Sequence, residues 1–172
     1  MEALHGKKGK WILIGIDFVA AILLIVLDQI TKKIAVSKLK GNQAVPIWKN
    51  VFELDYVENH GSAFGLFQNQ KVFLLIVGVF FMAIMFYVLW KTPAKKRFWP
   101  IHALVAGIIA GGLGNMIDRM TLGYVVDFFS FVLIHFPVFN VADVYIVIST
   151  FCLAICLIFV YQEEELDFFW KK

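Results

Sequence analysis

Asp127 and Asp143 are the two residues best suited to chemistry. They sit in GYVVDFFSF and FNVADVYIV, where valine and phenylalanine surround each carboxyl and no cation is supplied. An apolar setting penalises the charged form, and two such groups close together resist ionising at once. They would then share a proton and titrate as a pair. A pair of that kind can hydrolyse a peptide bond: one carboxylate takes a proton from water while the other, protonated, donates to the carbonyl oxygen or the leaving amine. Competing chemistry is thin. His60 and His135 lack metal-ligand spacing, and no serine or cysteine nucleophile with a histidine beside it competes convincingly. Cys152 and Cys156 lie four apart inside an apolar run, so they share a helix face, but no further soft ligands are near and packing is the better reading. No metal is expected.

The elements that must position these residues are membrane helices. The chain of 172 residues is 60% hydrophobic and 17% charged, with a mean hydropathy of +0.78. A soluble domain carries about a quarter charged residues, so lipid is the main solvent. The net charge of +3 is too small to imply nucleic acid. Four apolar windows reach the roughly 20 residues needed to cross the hydrocarbon core: about 11–30, 72–90, 99–117 and 141–161. Trp11, Trp90, Trp99 and Tyr161 at their ends fit an aromatic belt. The lysine-led N-terminus looks like a secretory signal peptide, but its apolar run is long, no small-residue cleavage site follows and three more runs come later, so it is read as the first span.

The expected fold is an all-α polytopic membrane protein, one membrane domain over 1–172, with a small extracytoplasmic β-element and an interfacial outer loop. Lysines in the N-tail, in KTPAKKR between spans two and three, and at Lys171 and Lys172 place both termini in the cytoplasm. The insert 31–71 contains VFELDYVEN, which alternates apolar and polar residues, followed by the turn-like NHGSAFG; it is the expected β-element. The outer loop 119–140 holds FFSFVLIHFPVF, too short to span and expected to lie in the interface. The tail QEEELDFFWKK reads as a solvated or interfacial helix end.

Ionisable groups at membrane depth are costly, so each is a functional hypothesis with a partner to be named. With both termini inside, Asp28 and Lys32, Asn115, Asp118 and Arg119, Asp127, Asn140 and Asp143 all meet at the outer face. Structural pairing is the alternative for four of them: Asp28 with Lys32 at i,i+4, and Asp118 beside Arg119. Gly107 and Gly111 have the small-xxx-small spacing of close helix packing, which would also let a substrate backbone approach the aspartates. Asp17, inside the first span, is expected to snorkel or to find a helix partner.

Five stretches carry a resemblance: DQITK from Asp28 to Lys32, NHGSAFG from Asn59 to Gly65, GGLGNMIDR from Gly111 to Arg119, VVDF around Asp127, and FNVAD from Phe139 to Asp143. In this order and spacing they resemble the bacterial lipoprotein signal peptidases, or signal peptidase II. The resemblance implies an inner-membrane aspartic endopeptidase that removes the signal peptide of a prolipoprotein once its lipobox cysteine carries diacylglycerol. It implies Asp127 and Asp143 as the catalytic dyad, with Asn59, Gly111, Asn115, Arg119 and Asn140 around it and Asp28 and Lys32 as a supporting pair. It further implies no metal or cofactor, inhibition by globomycin-type compounds, a β-cradle on the outer leaflet, and lipidated prolipoproteins and membrane lipid as partners. A monomer is the expected acting unit.

Other classes fit less well. A small proton- or cation-coupled transporter would place carboxylates near the midplane and show internal symmetry, whereas here they gather at one face. A presenilin-type protease carries GxGD, absent from this sequence. A non-enzymatic assembly factor leaves two unpaired aspartates beside lipid unexplained.

Overall fold

The computed structural model describes residues 6–62 and 66–170. Ala63, Phe64 and Gly65 of the NHGSAFG stretch, and the lysines at 171 and 172, lie outside them. Among the described residues, four helices are long and apolar enough to cross a membrane. In chain order the elements are α1 (Lys7–Leu39), β1 (Val45–Trp48), β2 (Phe52–Asn59), α2 (Lys71–Lys91), α3 (Trp99–Thr121), β3 (Val125–Ser130) and α4 (Val141–Ile155), the last continuing as a π-turn over Cys156–Val160.

α3 is the central post. Most of its length is buried, whereas the other three helices turn their apolar side chains outward, as lipid-facing helices do. Its glycines explain how it gets so close to α4. A Cβ on Gly111 would collide with the Ala142 carbonyl and Ile146, and one on Gly107 with the Ser149 hydroxyl. Gly111 therefore packs helix against helix, and it is not among the residues that line the cavity described below. Met82, Leu89, Phe98, Ile101, Val105, Ile109 and Tyr161 form the core between α2, α3 and the C-terminal segment.

α1 runs on to Leu39, beyond the expected end near residue 30. The reason is legible in TKKIAVSKL: Lys32, Ala35 and Leu39 fall on one helical face and are buried, and Ala35 and Leu39 pack on Val126 and Phe128 of β3. The amphipathic last turns of α1 thus carry the sheet. That sheet is three-stranded and antiparallel, in the order β1-β2-β3. β2 is the expected strand, and β3, cut from the expected interfacial loop, pairs with it so that Val57 faces Asp127 and Asn59 faces Val125. The strand is available because α3 ends abruptly. Leu122 and Gly123 donate N–H to the Asp118 carbonyl, and Gly123 takes φ +91°, the left-handed cap conformation that glycine adopts without strain.

The acidic-aromatic tail, expected as a solvated or interfacial helix end, is a short helix with Gln162, Glu163 and Glu164 exposed and its later residues half-buried. Its short helix, Glu163–Phe169, folds back on the α2–α3 connection. There Arg97 forks onto Glu165 at 2.9 and 3.0 Å, and Phe98 lies between the rings of Tyr161 and Phe168.

Candidate active site

Asp127 and Asp143 are delivered by two rigid elements. Asp127 projects from β3, a strand within the expected outer loop 119–140, and is 2% exposed. Asp143 is the third residue of α4, whose start is fixed by a capping box: the Asn140 side chain accepts from the Asp143 N–H at 3.0 Å, and the Asp143 carboxylate accepts from the Asn140 N–H at 3.1 Å. The same Asn140 donates through Nδ2 to Asp127 Oδ1 at 2.6 Å. One asparagine therefore holds both carboxyls. Asp127 Oδ2 accepts from Asn59 at 2.9 Å, and Asp143 Oδ1 from Asn115 at 2.8 Å. Burial, then the Asp143 carboxylate, push Asp127 up to about 7, against the lowering effect of its two amide donors.

Behind the aspartates lies a second polar layer. Lys32, 3% exposed, satisfies its ammonium with Asn115 Oδ1 at 2.8 Å, Asp28 at 2.9 Å and Asp118 at 3.0 Å. Asp28, fully buried, also accepts from the Ala142 N–H at 2.9 Å and so reaches the first turn of α4. Asp118 accepts from the Val126 N–H at 3.1 Å and so reaches β3. The i,i+4 pair of Asp28 and Lys32 is formed, but Asp118 pairs with Lys32 and not with its neighbour Arg119. Gln29, which sequence reasoning did not single out, donates to Asp118 at 2.8 Å and belongs to this layer. Gly114 is its floor, since a Cβ there would stand 2.7 Å from Asp28 Oδ2.

A cavity of about 740 Å³ opens onto both aspartates. Its polar lining includes Asn59, Asn115 and Arg119; its apolar lining includes Val144, Val147 and Ile148 of α4 with Phe136 and Phe139. Arg119 donates to the Gly61 carbonyl at 2.8 Å, tying the segment after β2 to the cavity wall. Among the described residues no cluster of three or more His, Cys, Asp or Glu side chains is arranged to hold a metal. What the site offers chemically is two buried, amide-held carboxyls beside a space with both polar and apolar lining.

A profile of the family described as Signal peptidase (SPase) II matches residues 20–159. The chain belongs to that family. Lipoprotein signal peptidase of Clostridioides difficile is 43% identical over 138 residues, covering 80% of this chain and 91% of that protein. That of Streptococcus agalactiae is 40% identical over 147 residues, 86% and 92% of the two chains, and that of Halothermothrix orenii 35% over 149, 86% and 97%. Two solved structures, each described as a bacterial membrane enzyme, superpose with a TM-score of 0.73 at 25% and 26% identity. They cover 84% and 86% of this chain and 88% and 96% of those. The chain is accordingly a multi-pass membrane peptidase of the signal peptidase II family, a hydrolase.

One buried polar pair of this signal peptidase II chain lies apart from the site. Asp17 has a helix partner, His102 of α3, with Oδ2 and Nδ1 2.7 Å apart and both residues buried. His102 was not visible as that partner in sequence, because only the register of α1 against α3 brings it there.

Proposed function

We propose that the chain cleaves the signal peptide from diacylglyceryl-modified prolipoproteins at the lipobox cysteine, with Asp127 and Asp143 as an aspartic dyad and water as the nucleophile. The observation that carries this reading is the single side chain of Asn140, which bonds to Asp127 directly and to Asp143 through the capping box, beside one shared cavity. Asn59 and Asn115 each hold one carboxyl oxygen, of Asp127 and Asp143 respectively, Arg119 presents a cation to the cavity, and the Asp28, Lys32 and Asp118 layer keeps these supports in place. The apolar lining suits the diacyl chains of a substrate that remains in lipid, while the scissile peptide meets the aspartates and their amide partners. The lysine distribution supports an inner-membrane orientation with both termini cytoplasmic and the dyad at the outer face. A monomer suffices, since one chain supplies every group named, and globomycin-type inhibitors would compete for the dyad.

The test is purified full-length protein in lipid with two forms of one prolipoprotein. The diacylglyceryl form is cleaved before its cysteine, and the unmodified form is cleaved at least tenfold more slowly. Equal rates on both would contradict the substrate assignment.

A further inference from the structure

The two carboxyls are not held alike. Asp143 is at the third position of a 15-residue helix, where the exposed N–H groups and the helix dipole favour an anion. Each of its oxygens accepts one N–H, from Asn115 Nδ2 and from the Asn140 backbone. The Asn115 amide has no freedom to reverse. Its Oδ1 receives both the Lys32 ammonium at 2.8 Å and the Asn140 Nδ2 at 3.1 Å, which leaves only Nδ2 to face Asp143. The buried cation thus acts on Asp143 through one polarised amide. Asp127 has no such arrangement. It sits on a strand between Val126 and Phe128, and its two partners are neutral amides. The other charged groups near the pair are Asp28 of α1, Asp118 and Arg119 of α3, and Glu58 of β2, the last engaged by Lys40 at 2.8 Å.

Taking the dyad as the reaction centre, as proposed above, we infer that it is asymmetric: Asp143 is the ionised member that accepts the proton of water, Asp127 is the member that carries the proton, and Lys32 is the positioning residue that fixes this division through Asn115. The steps balance. The water oxygen bonds to the scissile carbonyl carbon as its proton passes to Asp143, and the carbonyl π pair moves onto its oxygen, which takes the Asp127 proton. The resulting gem-diol collapses. The C–N bond breaks with its electron pair on nitrogen, nitrogen takes the proton from Asp143, and one diol hydroxyl returns its proton to Asp127. The dyad is restored and one water is consumed.

The deciding measurement is the infrared carboxylic acid band of the full chain in lipid, followed with pH up to the value of about 7 for Asp127. Asp127→Asn loses a protonated carboxyl band present in the wild type, and Asp143→Asn keeps it. The reverse pattern, or a band lost in neither variant, overturns the assignment. For Lys32, the Lys32→Met enzyme is assayed on diacylglyceryl prolipoprotein. It loses about tenfold or more in kcat with KM little changed, and the acidic limb of its kcat/KM profile moves up by about one pH unit, as removal of a stabilising cation dictates. An unmoved acidic limb overturns the role of Lys32, and the infrared pair stands whether or not Lys32→Met folds. Wild-type cleavage by either Asp→Asn variant would instead overturn the dyad itself.

Discussion

Asn140 Nδ2 stands 2.6 Å from Asp127 Oδ1, while the Oδ1 of the same side chain caps α4 at the Asp143 N–H. The carboxyl on the strand and the carboxyl on the helix are thereby fixed relative to one another by an amide whose orientation is forced. Asn140→Ala removes a helix cap and a dyad donor together. The cap is worth about 1 kcal/mol, and losing one pre-aimed donor costs about 100-fold in kcat. Cleavage assays alongside thermal unfolding separate the two effects. Activity lost only in proportion to unfolded protein would refute the donor role.

The elevated titration of Asp127 makes a prediction independent of catalysis. Its carboxyl rises from 3.8 to about 7 on folding. Between those values the native chain holds a proton that the unfolded chain has released, so stability is greatest below the lower value and declines as pH rises through the upper one. Asp127→Asn removes the charge and should flatten this decline, leaving the variant more stable than wild type at about pH 8. Thermal unfolding across pH reads it, and parallel pH curves for the two proteins would contradict it. In the wild type, cleavage should likewise fall as pH rises past about 7, where the second proton of the pair is lost.

Packing around α3 separates two kinds of glycine. Gly111→Ala drives a methyl into the Ala142 backbone carbonyl, which cannot move without α4, and should destabilise by about 1–3 kcal/mol. Gly112→Ala meets the flexible end of Met82 and should cost much less. Equal melting temperatures for the two variants would show that the approach of α3 to α4 is looser than described.

The buried pair of Asp17 and His102 should matter for folding and not for cleavage. Asp17→Leu leaves the imidazole Nδ1 without its partner, at a cost of about 1–3 kcal/mol, and adding His102→Leu should recover part of that loss. The kcat of the folded fraction should stay at the wild-type value in both. A selective loss of kcat would mean that the pair reaches the site.

Much of this was legible in the sequence because membrane solvation leaves a strong signal. Four long apolar windows announce helices, and every unshielded carboxyl among them is conspicuous by its cost. The alternation in VFELDYVEN announced β2 for the same reason of period. β3 was not legible. GYVVDFFSF is continuously apolar because both of its faces are covered, so it carries no alternation to separate a strand from an interfacial loop. Gln29 and His102 were hidden for another reason. A neutral amide and a lone imidazole have no local signature, and their roles arise only where α1 crosses α3. The amphipathic end of α1 was cut short by hydropathy, since Lys32, Lys33 and Lys38 mask the buried face of Ala35 and Leu39.

The most direct test of the central claim is single-turnover cleavage of diacylglyceryl prolipoprotein by Asp127→Asn and Asp143→Asn, each purified in lipid and shown to melt cooperatively. The account predicts no product from either variant within the time in which the wild type completes its turnover. Cleavage by either one at the wild-type rate would contradict it.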